Sequence, residues 1–197
     1  MPAARDALKR LRQEVRRLPE HARMHVEQVR VSAVELARLH GVDAARAELA
    51  ALAHDVCRAT SSPELLRLAA AFRIPVTPLE QALPVFLHGP VGAEVLLRDY
   101  VVEDPEVLNA VRCHTMGRAA MTPLDKVLFL ADKLDPSKVG RYPFIGQVAE
   151  LARRDLDQAI RRFIDHQLTA FIEGGDLVHP SMAAARNDAV LRGRPRG

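Results

Sequence analysis

Apolar residues recur every three or four positions along almost all of this chain, and no segment keeps a strict apolar–polar alternation for the length of a strand. That pattern restricts the fold to packed helices. Proline and glycine then set the helix ends. Residues 3–18 form an amphipathic stretch stopped near Pro19, and residues 20–40 carry Ala22, Val26, Val29, Ala33, Leu36 and Ala37 on one stripe before Gly41. Asp43 is placed as the N-cap of the next helix, whose inner face holds Leu49, Leu52, Ala53 and Val56. Ser62-Pro63-Glu64, Asp104-Pro105-Glu106 and Thr122-Pro123 each put proline in a first helical turn, where its missing N–H costs nothing. The latter two helices run to about Met116 and Leu134. Pro75, Pro78 and Pro84 break the middle into short pieces, and one long helix is predicted over 147–173, ending at Gly174-Gly175. The expected architecture is all-α: a single helical domain over residues 1–185, then a flexible Arg-rich tail over 186–197.

At 197 residues, with 48% hydrophobic and 27% charged side chains, the chain suits one globular domain with a sizeable core and excludes disorder over most of its length. Its strictly apolar runs, such as Leu49–Ala53 and Val127–Ala131, stop at five residues. A membrane span needs about 20, so no membrane association is expected. The first residues alternate basic and apolar groups rather than forming a signal peptide. Two cysteines, Cys57 and Cys113, are too few for a disulfide framework, and the cytoplasm is the expected compartment. The net charge is +3 and the arginines are scattered, so nucleic acid is not expected as a partner. Arginine remains suited to handling phosphate, because its fork pairs bidentately.

The chemistry lies in polar residues placed where apolar ones are expected. His25 shares a stripe with Val29 and Ser32, and His54-Asp55 closes an apolar helix. His88 precedes Gly89-Pro90, His114 follows Val107, Leu108 and Val111, and Asp132 follows Leu124, Val127, Leu128 and Ala131. Any one of them reads most simply as a hydrogen-bonded core histidine or a helix cap. Together, on several different helices, they point to convergence on a metal. Mixed imidazole and carboxylate donors suit Fe, Mn, Co or Zn rather than Ca or Mg. Adjacent residues on a helix diverge by about 100°, so His54 and Asp55 can serve two metals, or a metal and a water. Cys57 and Cys113 read as small buried residues, since no CxxC pair exists. His21 reads as a solvated helix-start residue, and His166 and His179 as solvent-facing or capping.

Four segments carry a resemblance. Leu52-Ala-His-Asp-Val-Cys-Arg58, Phe86-Leu-His-Gly-Pro-Val-Gly-Ala93, Ala110-Val-Arg-Cys-His-Thr-Met-Gly117 and Lys126-Val-Leu-Phe-Leu-Ala-Asp-Lys-Leu-Asp-Pro136 resemble the YqeK family of the HD superfamily, the symmetrical bis(5′-nucleosyl)-tetraphosphatases. The resemblance runs from about Arg23 to about Asn187. It implies an HD-type helical fold, an iron centre of one or two ions, and cleavage of diadenosine tetraphosphate into two ADP. His25, His54, Asp55 and Asp132 would be the core metal ligands, with Asp55 orienting the nucleophile and Asp132 bordering the substrate. His88 and His114 would bind a second metal or the bridging phosphate and balance its charge. Thr115 would hydrogen-bond phosphate or ribose. Arg58 stands where the family usually has Lys, which keeps the charge and changes its geometry. Lys138 or Arg141 would clamp phosphate, with Arg141 favoured by charge type and fork shape. Tyr142-Pro143-Phe144-Ile145 is a candidate surface for stacking adenine. Other readings are an HD phosphohydrolase for a different nucleotide, or a nucleotide- or RNA-binding HD domain without catalysis. A homodimer stays open.

Overall fold

The structure, a computed structural model, describes residues 2–134 and 144–193. All regular structure among these residues is helical: α1 (Pro2–Arg17), α2 (Glu20–Leu39), α3 (Ala44–Ala53), α4 (Ser62–Ala71), α5 (Pro78–Ala82), a 3-10 turn (Pro84–Leu87), α6 (His88–Asp99), α7 (Pro105–Cys113), α8 (Pro123–Lys133), α9 (Ile145–Ala152), α10 (Leu156–Gly174) and α11 (Pro180–Arg192). The expected starts are built as the sequence implied. Asp43 accepts from the amides of Ala45 and Arg46, Asp104 accepts from that of Glu106, and Thr122 forms a reciprocal capping box with Asp125. No helix among the described residues is long and apolar enough to cross a membrane.

Helices α2, α3, α7 and α8 pack on one another around the main core, with α6 laid against α7. Val29, Ala33, Ala50, Val107, Val111, Val127 and Leu128 are fully buried where these helices meet. A smaller apolar cluster of Cys57, Leu65, Ala69, Leu87 and Val91 joins α4 and the 3-10 turn to α6. Both cysteines are buried and unpaired, as expected. Burial, with Asp125 nearby, pushes the Cys113 thiol up to about 12, so it stays protonated and inert.

Two expectations are corrected. The single helix over 147–173 is two, α9 and α10, because the Asp155 side chain accepts from Gln158 N at 2.9 Å and starts a new helix. The two segments pack on each other rather than continuing in line. The Arg-rich tail expected from residue 186 is helical to Arg192. His179 caps this helix through Ser181 N, Met182, Ala185 and Ala189 are buried, and Arg186 pairs with Asp165 at 2.7 Å. Small alanines gave that segment too weak an apolar signal to be read as a packed helix.

Two features hold the loop after α7 in place. Asp125 is fully buried and accepts from Arg118 at 2.6 Å and from Thr122 N at 2.9 Å, pinning the loop to the start of α8. Gly117 has φ +70°, and a Cβ there would meet the Ala185 Cβ at 3.0 Å. A second glycine sets the distance between α6 and α7. A Cβ on Gly89 would lie 3.0 Å from the carbonyl oxygens of Val111 and Arg112 and 3.3 Å from His114 Nδ1. Backbone carbonyls cannot swing away, so Gly89→Ala must push the helices apart. Denaturant unfolding should show a loss of about 1–3 kcal/mol, and a variant as stable as the parent would mean that α6 and α7 slide freely.

Candidate metal centre

Three histidines are placed by one local rule. His54 and His114 stand at the C-terminal ends of α3 and α7, and His88 follows the 3-10 turn. Each ring uses Nδ1 on the carbonyl three residues earlier: His54 on Ala51, His88 on Val85 and His114 on Val111, at 2.5 to 2.7 Å. A carbonyl only accepts, so Nδ1 carries the proton and donates. The Nε2 lone pairs are therefore left to face the centre. His25 enters from the second turn of α2, Asp55 follows His54 directly, and Asp132 comes from the last turn of α8.

These side chains converge. His25, His54 and Asp55 form one group with ligand atoms within 4.8 Å of one another, and Asp55, His88 and His114 form a second. Asp55 is shared: Oδ2 lies 3.5 Å from His54 Nε2 and 3.8 Å from His25 Nε2, and Oδ1 lies 3.4 Å from His88 Nε2 and 3.7 Å from His114 Nε2. Asp132 Oδ1 is 3.3 Å from His25 Nε2. His88 Nε2 and His114 Nε2 face each other at 3.1 Å, and Thr115 Oγ1 is 3.2 Å from both.

The protonation states suit a cation. Burial drives His54 down to about 4, so it is a neutral imidazole at physiological pH. Burial alone would raise the Asp55 carboxyl, but the imidazoles of His114, His54 and His88 around it outweigh that and hold it well below the usual carboxylate range. Asp132 follows the same balance, with burial opposed by Lys133 and His25. Inward lone pairs on His88 and His114, set beside an ionised carboxylate, are all acceptors and repel until a positive charge sits among them. Neutral imidazoles and ionised carboxylates are the states in which these groups bind metal. The residues present fit a transition metal, and the shared Asp55 fits more than one ion.

The centre lines a cleft of about 600 Å³. Its polar lining includes His25, Asp55, His88, His114, Thr115 and Asp132, together with the exposed Arg58. Its apolar lining includes Leu18, Ala22, Val26, Val85 and Phe86. His21 is exposed, as expected, and also lines the cleft. Lys138, Arg141, Tyr142 and Pro143 lie outside the described residues. Phe144 does not serve as a stacking surface in the cleft. It stacks on His166 at 4.2 Å and leans on Phe163, while Ile145 is buried. An aromatic that does line the cleft is Phe86, whose ring meets His179 edge-on at 5.4 Å. Lys133 lines it too and went unnoticed in the sequence. Its only signal there was its place next to Asp132.

Comparison with known proteins agrees with this geometry. The HD domain family matches residues 23–137. The chain is 34% identical over 163 residues to the symmetrical bis(5′-nucleosyl)-tetraphosphatase of Bacillus subtilis (strain 168), covering 83% of this chain and 86% of that protein. It is 32% identical to the protein of the same name from Halalkalibacterium halodurans, covering 88% and 91%. A crystal structure of a predicted HD superfamily hydrolase involved in NAD metabolism, from Clostridium acetobutylicum, superimposes with a TM-score of 0.84 at 26% identity, covering 89% of this chain and 92% of that one. The matched region spans α2 to the end of α8, the stretch that supplies all six convergent side chains. The chain belongs to the HD domain family and, within it, to the family of symmetrical bis(5′-nucleosyl)-tetraphosphatases.

Proposed function

We propose that this protein is a metal-dependent hydrolase that splits diadenosine tetraphosphate at the middle of its phosphate bridge into two ADP. The observation that carries the reading is Asp55, shared between two groups of inward imidazoles at the floor of a cleft. The likeness to proteins named for this activity supports the choice of substrate. Iron is the metal we assign, with Mn, Co or Zn as alternatives that the same donors accept. The composition and the buried, reduced cysteines suit the cytoplasm.

His25, His54, Asp55 and Asp132 would hold the first ion, and His88 and His114, with Asp55, a second ion or the bridging phosphate. When bound, the metal supplies positive charge that polarises a phosphoryl oxygen and makes water a nucleophile near neutral pH. The protein's own groups do the rest. The Nδ1–H bonds of His54, His88 and His114 hold the rings so that no reorganisation is needed during reaction. Asp55 orients the attacking water. Thr115, set between His88 and His114, offers a hydroxyl to the phosphate or ribose. Arg58, with Lys138 or Arg141, balances charge on the departing ADP. Water adds to one central phosphorus as the bridging P–O bond breaks, so each half leaves as ADP.

Three measurements test the reading. Metal-loaded protein given diadenosine tetraphosphate should yield ADP alone, two per substrate, on chromatography. AMP plus ATP would mean asymmetric attack. Asp55→Asn keeps the size of the side chain and loses its charge, so turnover should fall by about 10²-fold or more while the fold persists. Most of the activity surviving would remove Asp55 from the centre. The third concerns chelator-stripped protein. His54 stays neutral down to about pH 4 in the folded state, while an unfolded histidine titrates near 6.5. As pH falls, the unfolded chain therefore takes up this proton first. Stability should decline between pH 6.5 and about 4, by about 3 kcal/mol from this group. Urea midpoints across that range check it, and a profile equally steep in His54→Gln would assign the loss elsewhere.

A further inference from the structure

Lys133 is a cleft residue that the metal-ligand reading leaves without a task. It ends α8 one residue after Asp132, and its side chain is 14% exposed. An ammonium has three N–H donors. One goes to Asp132 Oδ2 at 2.5 Å and another to His114 O at 3.3 Å. The same nitrogen lies 5.3 Å from the centre of the Phe129 ring, whose face favours a cation. Most surface lysines roam through solvent on a four-carbon stem, whereas this one is held at a fixed place on the cleft wall.

Its two anchors belong to residues that also face the metal centre. Asp132 turns Oδ2 to the ammonium and Oδ1 to His25, so the lysine does not take the oxygen on the ligand side. Charge balance shows what the lysine is for. Asp55 and Asp132 carry two negative charges between them, and a divalent ion already offsets both. The charge of Lys133 is then surplus to the filled site, and a desolvated surplus charge is costly unless an anion meets it. The anion that enters this cleft, on the reading above, is the phosphate chain. Lys133 lines that space beside His114 and Thr115, and its two acceptors leave one of its three donors for an anion there.

We propose that Lys133 is a substrate-binding residue whose tethered ammonium donates to a non-bridging phosphate oxygen of the nucleotide beside the metal centre. The proposal rests on the hydrolase reading and adds a phosphate contact to it. A structural counter-ion to Asp132 would instead act only through metal retention.

ADP binding to metal-loaded protein, measured by calorimetry alongside elemental analysis, separates the two roles without requiring turnover. Lys133→Gln should bind ADP about tenfold more weakly, as expected for one lost charge-assisted hydrogen bond, with unchanged metal content and a shallower dependence on salt. The KM for diadenosine tetraphosphate should rise by a similar factor, with kcat changing less. Lys133→Arg keeps the charge and should stay within about threefold of the parent. ADP affinity within about twofold of the parent in Lys133→Gln would overturn the proposal. So would affinity that falls only in step with metal loss, or an Arg variant as weak as the Gln variant. Failure of the parent to cleave diadenosine tetraphosphate, with the ADP difference intact, would remove the hydrolase reading and leave Lys133 as a phosphate ligand.

Discussion

The hydrogen bond from a histidine Nδ1–H to the carbonyl three residues earlier, made by His54, His88 and His114, is what the rest of the site depends on. A helix end leaves carbonyls without intrahelical partners, and a buried one needs a donor. The imidazoles of His54 and His114 supply it at the ends of α3 and α7, while that of His88 adds a second donor to the Val85 carbonyl, which already accepts from the His88 amide; in each case the ring is turned inward. Local helix termination and site assembly are thereby the same event. Losing such a bond would free a ring to rotate and, at His54 or His114, leave the Ala51 or Val111 carbonyl without that donor.

The price of the arrangement is electrostatic. Imidazole rings and two ionised carboxylates are gathered at one end of the bundle, with the Nε2 atoms of His88 and His114 3.1 Å apart. Such a cluster stays assembled because the surrounding core is rigid. Fully buried Val29, Ala50, Val111 and Leu128 lock α2, α3, α7 and α8 together. Gly89 allows α6 to lie close enough to α7 for the second pair of rings to meet, and the Arg118–Asp125 pair holds the loop that carries Thr115. A cation relieves the repulsion that this scaffold sustains.

The cleft then divides its work by chemistry. Its lining combines the imidazoles and carboxylates of the metal centre with Leu18, Val26, Val85 and Phe86, against which an apolar or aromatic group can lie. A dinucleoside polyphosphate has both characters: a highly charged bridge and flat, weakly polar bases. The position of Lys133, tied to Asp132 and to the backbone of His114, links the phosphate side to the metal side through a single carboxylate.

Much of this was legible in the sequence because helix geometry is local. Apolar spacing, with Pro and Asp, Ser or Thr at the starts, placed the starts of α2, α3, α4, α7 and α8 to within a residue, whereas α6 went unmarked and α7 ends at Cys113 rather than near Met116. Polar residues on apolar stripes marked His25, His54, Asp55, His88, His114 and Asp132 as convergent. Where spacing was weak, the reading failed. The break at Asp155 depends on one side chain competing with the backbone, and the final helix is held by alanines and the Arg186–Asp165 pair, contacts made only across the fold. The sequence also could not tell that Phe144 faces His166 while Phe86 faces the cleft. Both are aromatics beside helix ends, and only the packing of other helices decides which side of each is covered. The sharing of Asp55 between two groups of ligands belongs to the tertiary structure as well, because it requires distances among helices that no spacing along the chain encodes.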